Sequence, residues 1–225
     1  MRSWGIALGA VLVGSGAWLW GAPGDAEAAR AESCRTIHAA AEERRAVVGQ
    51  QERPRIAVVG DSYSQGSGLV DPADSWPSRL EGTVVVDGFG GSGFTVQASP
   101  CKDVAFPLRV DRALATEPDL VVVQGGLNDH DVSAAAVRAA AEETLRRLEG
   151  HRVVVVGPPP APRRLAGAAR VDAVLQQVAA AEDVPYIRTY DWELDYLPDR
   201  LHLTPGGHEA FGDAVRERID ELLER

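Results

Sequence analysis

Five short apolar runs recur along the chain after Pro54, and each of them predicts a β-strand. The runs are rich in Val and Ile and do not alternate with polar residues, which is typical of strands buried on both faces of a parallel sheet. They lie at 56–59, 83–86, 119–123, 152–156 and 184–187. Helical patterns separate them at 76–80, 107–115, 133–148 and 165–181. A last helix is predicted to begin at Thr204-Pro205, with Thr204 as its N-cap, and to run through Leu223.

This alternation of strands and helices predicts the fold class. Strands joined by right-handed helical crossovers form an α/β protein with three α/β/α layers and a doubly wound sheet. About five parallel strands suit the flavodoxin-like arrangement. Because ligands bind beyond the carboxyl ends of such strands, the residues that follow each apolar run are the candidates for function.

The first 28 residues have the pattern of an export segment. Arg2 precedes an uncharged stretch at 3–24, and Ala26-Glu27-Ala28 has the small-x-small form of a cleavage site. The segment is therefore a signal peptide or an uncleaved membrane anchor, since the stretch is long enough to cross a bilayer of roughly 30 Å. Both alternatives make the protein secreted or extracytoplasmic, and the second adds a membrane tether. Residues 29–53 are predicted to form a helical extension ahead of the main domain, 54–225.

The cysteine content and the net charge indicate the compartment of the protein and the kind of partner that it lacks. The two cysteines, Cys34 and Cys101, are predicted to form a disulfide in an oxidising compartment, with two unrelated thiols as the alternative. The formal net charge is −10 in 225 residues, and Lys102 is the only lysine. An acidic chain without a basic stripe argues against a nucleic-acid partner.

Polar residues follow the predicted strands in an arrangement that suits nucleophilic catalysis. Gly60-Asp61-Ser62 follows the first run, and Asp199 and His202 stand just ahead of the last helix. A serine hydroxyl is a weak nucleophile until a base takes its proton, and His202 is the candidate base. Asp199 is three residues earlier and would hold the tautomer of the ring.

An acyl-transfer intermediate also needs hydrogen-bond donors for its oxyanion. The candidates are the backbone N–H groups of Ser62 and Gly93 and the side-chain amide of Asn128, which follows the third run. Each piece alone has an ordinary interpretation as a turn or a helix cap. The functional interpretation is favoured because four such pieces fall at four predicted strand ends.

These four blocks resemble the signature of the SGNH (GDSL-type) hydrolases. They are GDSYS at 60–64, GGSGF at 90–94, Gly126-Leu127-Asn128-Asp129 and Asp199-Arg200-Leu201-His202. The resemblance covers about residues 55–224. It implies that Ser62 is the nucleophile, Gly93 and Asn128 are oxyanion residues, and neither a metal nor a cofactor is needed. Tyr63 departs from the pattern, since the best-known members carry an aliphatic residue there.

The resemblance implies a serine esterase that acts on small-molecule or polymer-linked esters with short acyl or acetyl groups. Tyr63, Phe94 and Phe106 are the predicted lining of its substrate pocket. Two alternatives stay open, namely acyl or acetyl transfer on extracellular glycans and a catalytically inactive surface binding module. The chain has no GxSxG elbow of the α/β-hydrolases.

Overall fold

The protein, in a computed structural model that describes residues 23–46 and 53–223, contains a five-stranded parallel sheet. Its strands are β1 (Arg55–Gly60), β2 (Thr83–Gly88), β3 (Leu120–Gln124), β4 (Val153–Val156) and β5 (Tyr186–Ile187). The strand order is β2-β1-β3-β4-β5, and every neighbouring pair is parallel. This order confirms the predicted flavodoxin-like arrangement.

Six α-helices accompany the sheet in the part of the chain that the structure describes. They are α1 (Pro23–Ala46), α2 (Ser62–Gln65), α3 (Val110–Leu114), α4 (Ala134–Arg147), α5 (Leu165–Ala181) and α6 (Pro205–Leu223). The predicted helix at 76–80 is only a 3₁₀ turn, Trp76–Arg79. At the start of α6, Thr204 Oγ1 accepts a hydrogen bond from Gly207 N at 3.0 Å, as expected of an N-cap.

Both faces of the sheet are covered, which explains why its strands are continuously apolar. Alternate residues of β1 point to opposite sides, so Val58 packs in one cluster with Phe211 of α6. Val59 packs in the other cluster with Val137 of α4 and Val171 of α5. The predicted three-layer α/β/α architecture is therefore confirmed.

Helix α1 is fastened to the domain by a covalent bond and by an ion-pair network. The predicted disulfide between Cys34 and Cys101 is present, and it joins residues 67 positions apart. Arg45 Nη2 lies 2.9 Å from Oδ1 of Asp87, a buried carboxylate in β2. A disulfide of this kind is typical of proteins from oxidising compartments.

The predicted export segment lies mostly outside the described residues. Its last six residues, 23–28, are the beginning of α1, and positions 1–22 are not described. Of the predicted extension, 29–46 belongs to α1 and 47–52 is not described. Among the described helices, none combines the length and the apolar character that crossing a membrane requires.

Candidate active site

A sharp turn from strand to helix presents Ser62 at the carboxyl edge of the sheet. Asp61 caps α2 by accepting a hydrogen bond from Tyr63 N at 2.9 Å, and Gly66 ends the helix in the left-handed region with φ 91°. Gly60 permits the turn, because a Cβ at that position would lie only 2.0 Å from Ser64 Oγ. Ser62 is thus the first residue of a single helical turn at the end of β1.

The structure brings the three predicted catalytic side chains into one hydrogen-bonded chain. His202 Nε2 lies 3.2 Å from Ser62 Oγ, and His202 Nδ1 lies 2.6 Å from Asp199 Oδ2. The other oxygen of Asp199 accepts hydrogen bonds from the backbone N–H groups of Leu201 and His202, at 2.9 and 3.0 Å. This is the order nucleophile, base and orienting carboxylate that an activated serine requires.

Asp199 is held in its ionised form. Partial burial acts to raise the pKa of its carboxyl, but the hydrogen bonds from Leu201 N, His202 N and the His202 ring outweigh burial and lower the pKa to about 2. The carboxylate is therefore charged at neutral pH, and a hydrogen on Nδ1 of His202 is its natural partner.

The buried side chain of Tyr63 holds the loop that carries the base, whereas the buried His208 does not. The Tyr63 hydroxyl donates a hydrogen bond to the carbonyl oxygen of Leu201, next to His202. His208, the other histidine near the site, is fully buried, and its Nδ1 accepts a hydrogen bond from Trp76 N at 3.3 Å. Burial, followed by the charge of His202, lowers the pKa of His208 to about 4. His208 thus belongs to the packing of α6, while the ring of His202 reaches Ser62.

Two of the three predicted oxyanion donors, Gly93 and Asn128, lie in loops that are hydrogen-bonded to each other. Asn128 follows β3 in a 3₁₀ turn, and its Nδ2 donates a hydrogen bond to Ser92 O at 2.7 Å, one residue before Gly93. Asp129 accepts hydrogen bonds from Phe94 N and Thr95 N, each at 3.0 Å. Within the described residues, the N–H groups of Ser62 and Gly93 have no hydrogen-bond acceptor.

Close packing explains why residue 93 is a glycine. A Cβ on Gly93 would lie 2.3 Å from Oδ2 of Asp129, which is buried and already holds the loop by its hydrogen bonds. The carboxylate cannot move away without losing those bonds. Any larger residue at position 93 would therefore displace the loop that carries the candidate donor.

The family profile described as "GDSL-like Lipase/Acylhydrolase family" matches residues 58–210, which include Ser62, Gly93, Asn128, Asp199 and His202. The chain belongs to this family. The resemblance to the SGNH hydrolases is thereby confirmed, and the protein is a serine ester hydrolase of the GDSL type.

Solved structures with the same fold include several esterases. Est24, a carbohydrate acetylesterase from Sinorhizobium meliloti, is 16% identical with a TM-score of 0.64, over 76% of this chain and 100% of that one. The M. smegmatis aryl esterase is 19% identical with a TM-score of 0.63, over 75% and 99% of the two chains. A putative arylesterase from Agrobacterium tumefaciens is 22% identical with a TM-score of 0.62, over 74% and 98%. These likenesses support the fold of a GDSL hydrolase. No curated protein sequence matches the chain significantly.

The prediction that Tyr63, Phe94 and Phe106 line the substrate pocket of this GDSL hydrolase needs correction. All three side chains are buried, with at most 1% of their surface exposed. Tyr63 packs between His208 and Phe211, while the rings of Phe94 and Phe106 pack against each other at 4.8 Å between centroids. These aromatic residues pack in the core behind the catalytic residues and do not form the surface of the site.

Two arginines that the sequence did not mark as site residues hold its loops. Arg109 is buried and donates from Nη2 to Gly60 O at 2.9 Å and to Ser92 Oγ at 3.0 Å, which ties the end of β1 to the loop of Gly93. Burial lowers the pKa of Arg109 to about 10, against the opposing effect of Asp87. Arg164 donates to the side-chain oxygen of Asn128. No periodic pattern or motif marks either contact in the sequence.

A cavity lies beside the catalytic residues but does not include them. Its volume is about 230 Å³, and it is lined by Ala40, Glu43 and Arg44 of α1 and by residues 65–69 and 71–73. Ser62, Asp199 and His202 are not among its lining residues. We therefore do not assign the reacting ester to this cavity.

Asp61 is a fully buried carboxyl whose charge the fold does not fully compensate. Its Oδ2 has no hydrogen-bond partner within the described residues. Burial raises its pKa from 3.8 to about 6. The hydrogen bond from Tyr63 N, the neighbouring Gln124 side chain and the charges of His202 and Arg164 oppose burial only in part. Between these two pH values the folded chain retains a proton that the unfolded chain has lost. The free energy of unfolding therefore decreases as pH rises from about 4 to above 6.

Asp61→Asn is expected to remove this pH dependence. Asparagine keeps an oxygen to cap Tyr63 N but carries no charge, so its stability relative to the wild type should rise between pH 4 and pH 8, by on the order of 3 kcal/mol at most. Urea unfolding across this range measures the difference. Asp71→Asn is the matched control, because Asp71 caps Ala73 N in the same way at 2.8 Å but is exposed. A relative stability that does not change with pH would contradict the prediction.

Proposed function

We propose that the protein hydrolyses carboxylic esters with short acyl or acetyl groups through an acyl-enzyme on Ser62. The observation that carries this proposal is the hydrogen-bonded chain from Ser62 Oγ through His202 to Asp199, at 3.2 and 2.6 Å. The site belongs to a family of ester hydrolases, and these three residues lie at the edge of the sheet where α/β proteins bind their ligands.

In the first half of the reaction, Ser62 Oγ attacks the ester carbonyl carbon while His202 Nε2 takes the hydroxyl proton. The carbonyl oxygen becomes an oxyanion, which accepts hydrogen bonds from Ser62 N, Gly93 N and Asn128 Nδ2. His202 then gives its proton to the departing alcohol oxygen as the carbon–oxygen bond breaks. Ser62 is left acylated and His202 neutral.

In the second half, water replaces the alcohol. His202 takes a proton from the water as its oxygen attacks the acyl carbon, and it returns that proton to Ser62 Oγ as the acid leaves. Asp199 stays ionised throughout because its pKa is about 2, and its charge stabilises the imidazolium in both steps.

The burial of three aromatic side chains near the site supports a preference for short acyl groups. Tyr63, Phe94 and Phe106 are packed in the core, so they do not form an apolar slot for a long chain. The acetyl esters of carbohydrates are among the substrates we propose, in line with the name of the structurally similar carbohydrate acetylesterase. We also propose that the enzyme acts outside the cytoplasm, which the disulfide supports.

A series of p-nitrophenyl esters from acetyl to dodecanoyl tests the substrate class, with Ser62→Ala as the blank. We expect kcat/KM to be highest for acetyl to butyryl and to fall as the chain lengthens. A fluorophosphonate probe is expected to label the wild type, with the adduct on Ser62 by peptide mass spectrometry. Labelling at another residue would contradict the mechanism, whereas a maximum at dodecanoyl would contradict only the substrate class.

A further inference from the structure

Arg164 contacts the same amide that we propose as an oxyanion donor. It lies in the loop between β4 and α5, and its backbone is fixed by a hydrogen bond from Arg164 N to Ala161 O at 2.9 Å. Its Nη1 donates to Asn128 Oδ1 and, at 3.2 Å, to Leu127 O. One half-buried guanidinium thus holds both the side chain and the adjoining backbone of the turn that carries Asn128.

These contacts allow only one orientation of the amide. A side-chain amide has nearly the same shape after a half rotation that exchanges its oxygen and nitrogen, so only hydrogen bonds decide which way it points. In Asn128 the oxygen faces the guanidinium and the nitrogen faces Ser92 O at 2.7 Å. In the exchanged orientation, the NH₂ group of Asn128 would face the N–H groups of Arg164, and the amide oxygen would face the carbonyl oxygen of Ser92. Neither pair could form a hydrogen bond. One N–H of Asn128 then remains for the oxyanion.

The charge of Arg164 also affects the strength of that donor. A hydrogen bond from a charged donor is stronger than a neutral one, and it polarises the amide so that its N–H becomes more positive. Within the described part of the chain, no carboxylate forms an ion pair with Arg164, and the charges of Asp61 and Asp131 act on it only from a greater distance. Its positive charge is therefore not cancelled by a direct partner beside the position of the oxyanion.

Arg163, the residue before Arg164, connects the loop between β4 and α5 to the turn that carries Asp199 and His202. Arg163 N donates a hydrogen bond to Arg200 O at 3.0 Å, within the turn between Asp199 and His202. The Arg163 side chain is exposed and forms no hydrogen bond or ion pair within the described residues. Arg163→Ala keeps the backbone bond and removes a neighbouring guanidinium, so it is a matched control for Arg164.

We propose that Arg164 is a positioning residue for the oxyanion hole, which holds the Asn128 amide with an N–H toward the oxyanion and strengthens it as a donor. The inference rests on the proposed function. It predicts that Arg164 acts on turnover through Asn128 and not by contact with the substrate.

Steady-state kinetics on p-nitrophenyl acetate with Arg164→Ala, Arg164→Gln, Asn128→Ala and the double variant Arg164→Ala/Asn128→Ala test this. Asn128→Ala is expected to lower kcat by about 10²–10³-fold with little change in KM. Arg164→Ala should lower kcat by about 10–100-fold, again with KM nearly unchanged, because the amide can then rotate. Arg164→Gln, which keeps an uncharged donor, should lose less than Arg164→Ala, and Arg163→Ala should resemble the wild type.

The double variant separates positioning from a general structural effect. If Arg164 works through Asn128, the double variant should be no slower than Asn128→Ala alone. Losses that multiply, a loss confined to KM, or an Arg164→Ala variant as active as Arg163→Ala would each overturn the inference. The urea midpoint of each variant is measured beside its kinetics, and Arg164→Gln decides the matter if Arg164→Ala unfolds.

The results that would contradict the proposed function differ from those that would overturn the role of Arg164. A wild type without activity above the Ser62→Ala blank would contradict ester hydrolysis through Ser62. An Asn128→Ala variant with unchanged kcat would contradict the oxyanion role of Asn128. The positioning role of Arg164 is overturned separately, when Asn128→Ala loses turnover and the Arg164 variants do not.

Discussion

Replacing His202 with alanine is expected to lower kcat as much as replacing Ser62, by about 10⁶-fold, and the double variant should be barely worse than either. The reason is the 3.2 Å contact between His202 Nε2 and Ser62 Oγ. Without the imidazole, the hydroxyl keeps its proton, and without the hydroxyl the imidazole has nothing to activate. Each variant therefore removes the same step, and their effects cannot multiply.

Turnover of a short p-nitrophenyl ester by the two single variants and the double variant measures this non-additivity. His208→Ala is the comparison variant, since His208 is the other histidine near Tyr63 and is held by Trp76 N rather than by Ser62. It should keep most of its activity once its folding is verified by circular dichroism. An inactive His208→Ala beside an active His202→Ala would reverse the assignment of the base, and multiplying losses at Ser62 and His202 would exclude a shared step.

The fold was predictable because its central strands are buried on both faces. Residues such as Val58 and Val59 face opposite cores, so neither position tolerates a polar side chain, and the strand is visible as an unbroken apolar run. The prediction was less accurate for a strand at the edge of the sheet. The edge strand β5 pairs only with β4 and is limited to Tyr186–Ile187, although the apolar pattern covers 184–187.

The site was predictable as far as topology determines it. Parallel strands place their carboxyl ends along one edge, so Ser62, Asn128 and the loop of His202 were expected to meet there. The orientation of the neighbouring side chains was not predictable. In α2, Tyr63 follows Ser62 by one residue, which is about 100° of helical rotation, so the hydroxyl of Ser62 faces the edge while the ring of Tyr63 enters the core.

The supporting arginines were beyond prediction for a different reason. Arg164 and Asn128 are separated by 36 positions, and their contact depends on how a long side chain crosses from one loop to another. Arg109 lies in a segment whose pattern predicts only a helix, yet it is buried and reaches Gly60 O and Ser92. Apolar periodicity carries no information about such contacts, because they join residues that share neither a helix nor a strand.

The second large effect is expected at Asp199. In the wild type, Asp199 Oδ2 accepts a hydrogen from His202 Nδ1, at 2.6 Å, so Nε2 is free to receive the proton of Ser62. In Asp199→Asn, the remaining oxygen still serves the N–H groups of Leu201 and His202, and an NH₂ group replaces Oδ2. That group donates to Nδ1 and forces the hydrogen of the ring onto Nε2, where it faces Ser62 and blocks proton transfer.

Asp199→Asn is therefore expected to lower kcat by up to about 10⁴-fold without displacing the loop, a smaller loss than that of His202→Ala because the imidazole remains. Asp195→Asn is the matched control, since Asp195 is exposed in the same loop and its side chain forms no hydrogen bond or ion pair within the described residues. Kinetics on a short ester, with urea midpoints for both variants, measure the difference. An Asp199→Asn variant as active as Asp195→Asn would show that Asp199 does not set the tautomer of His202, because the backbone bonds alone would then suffice to hold the ring.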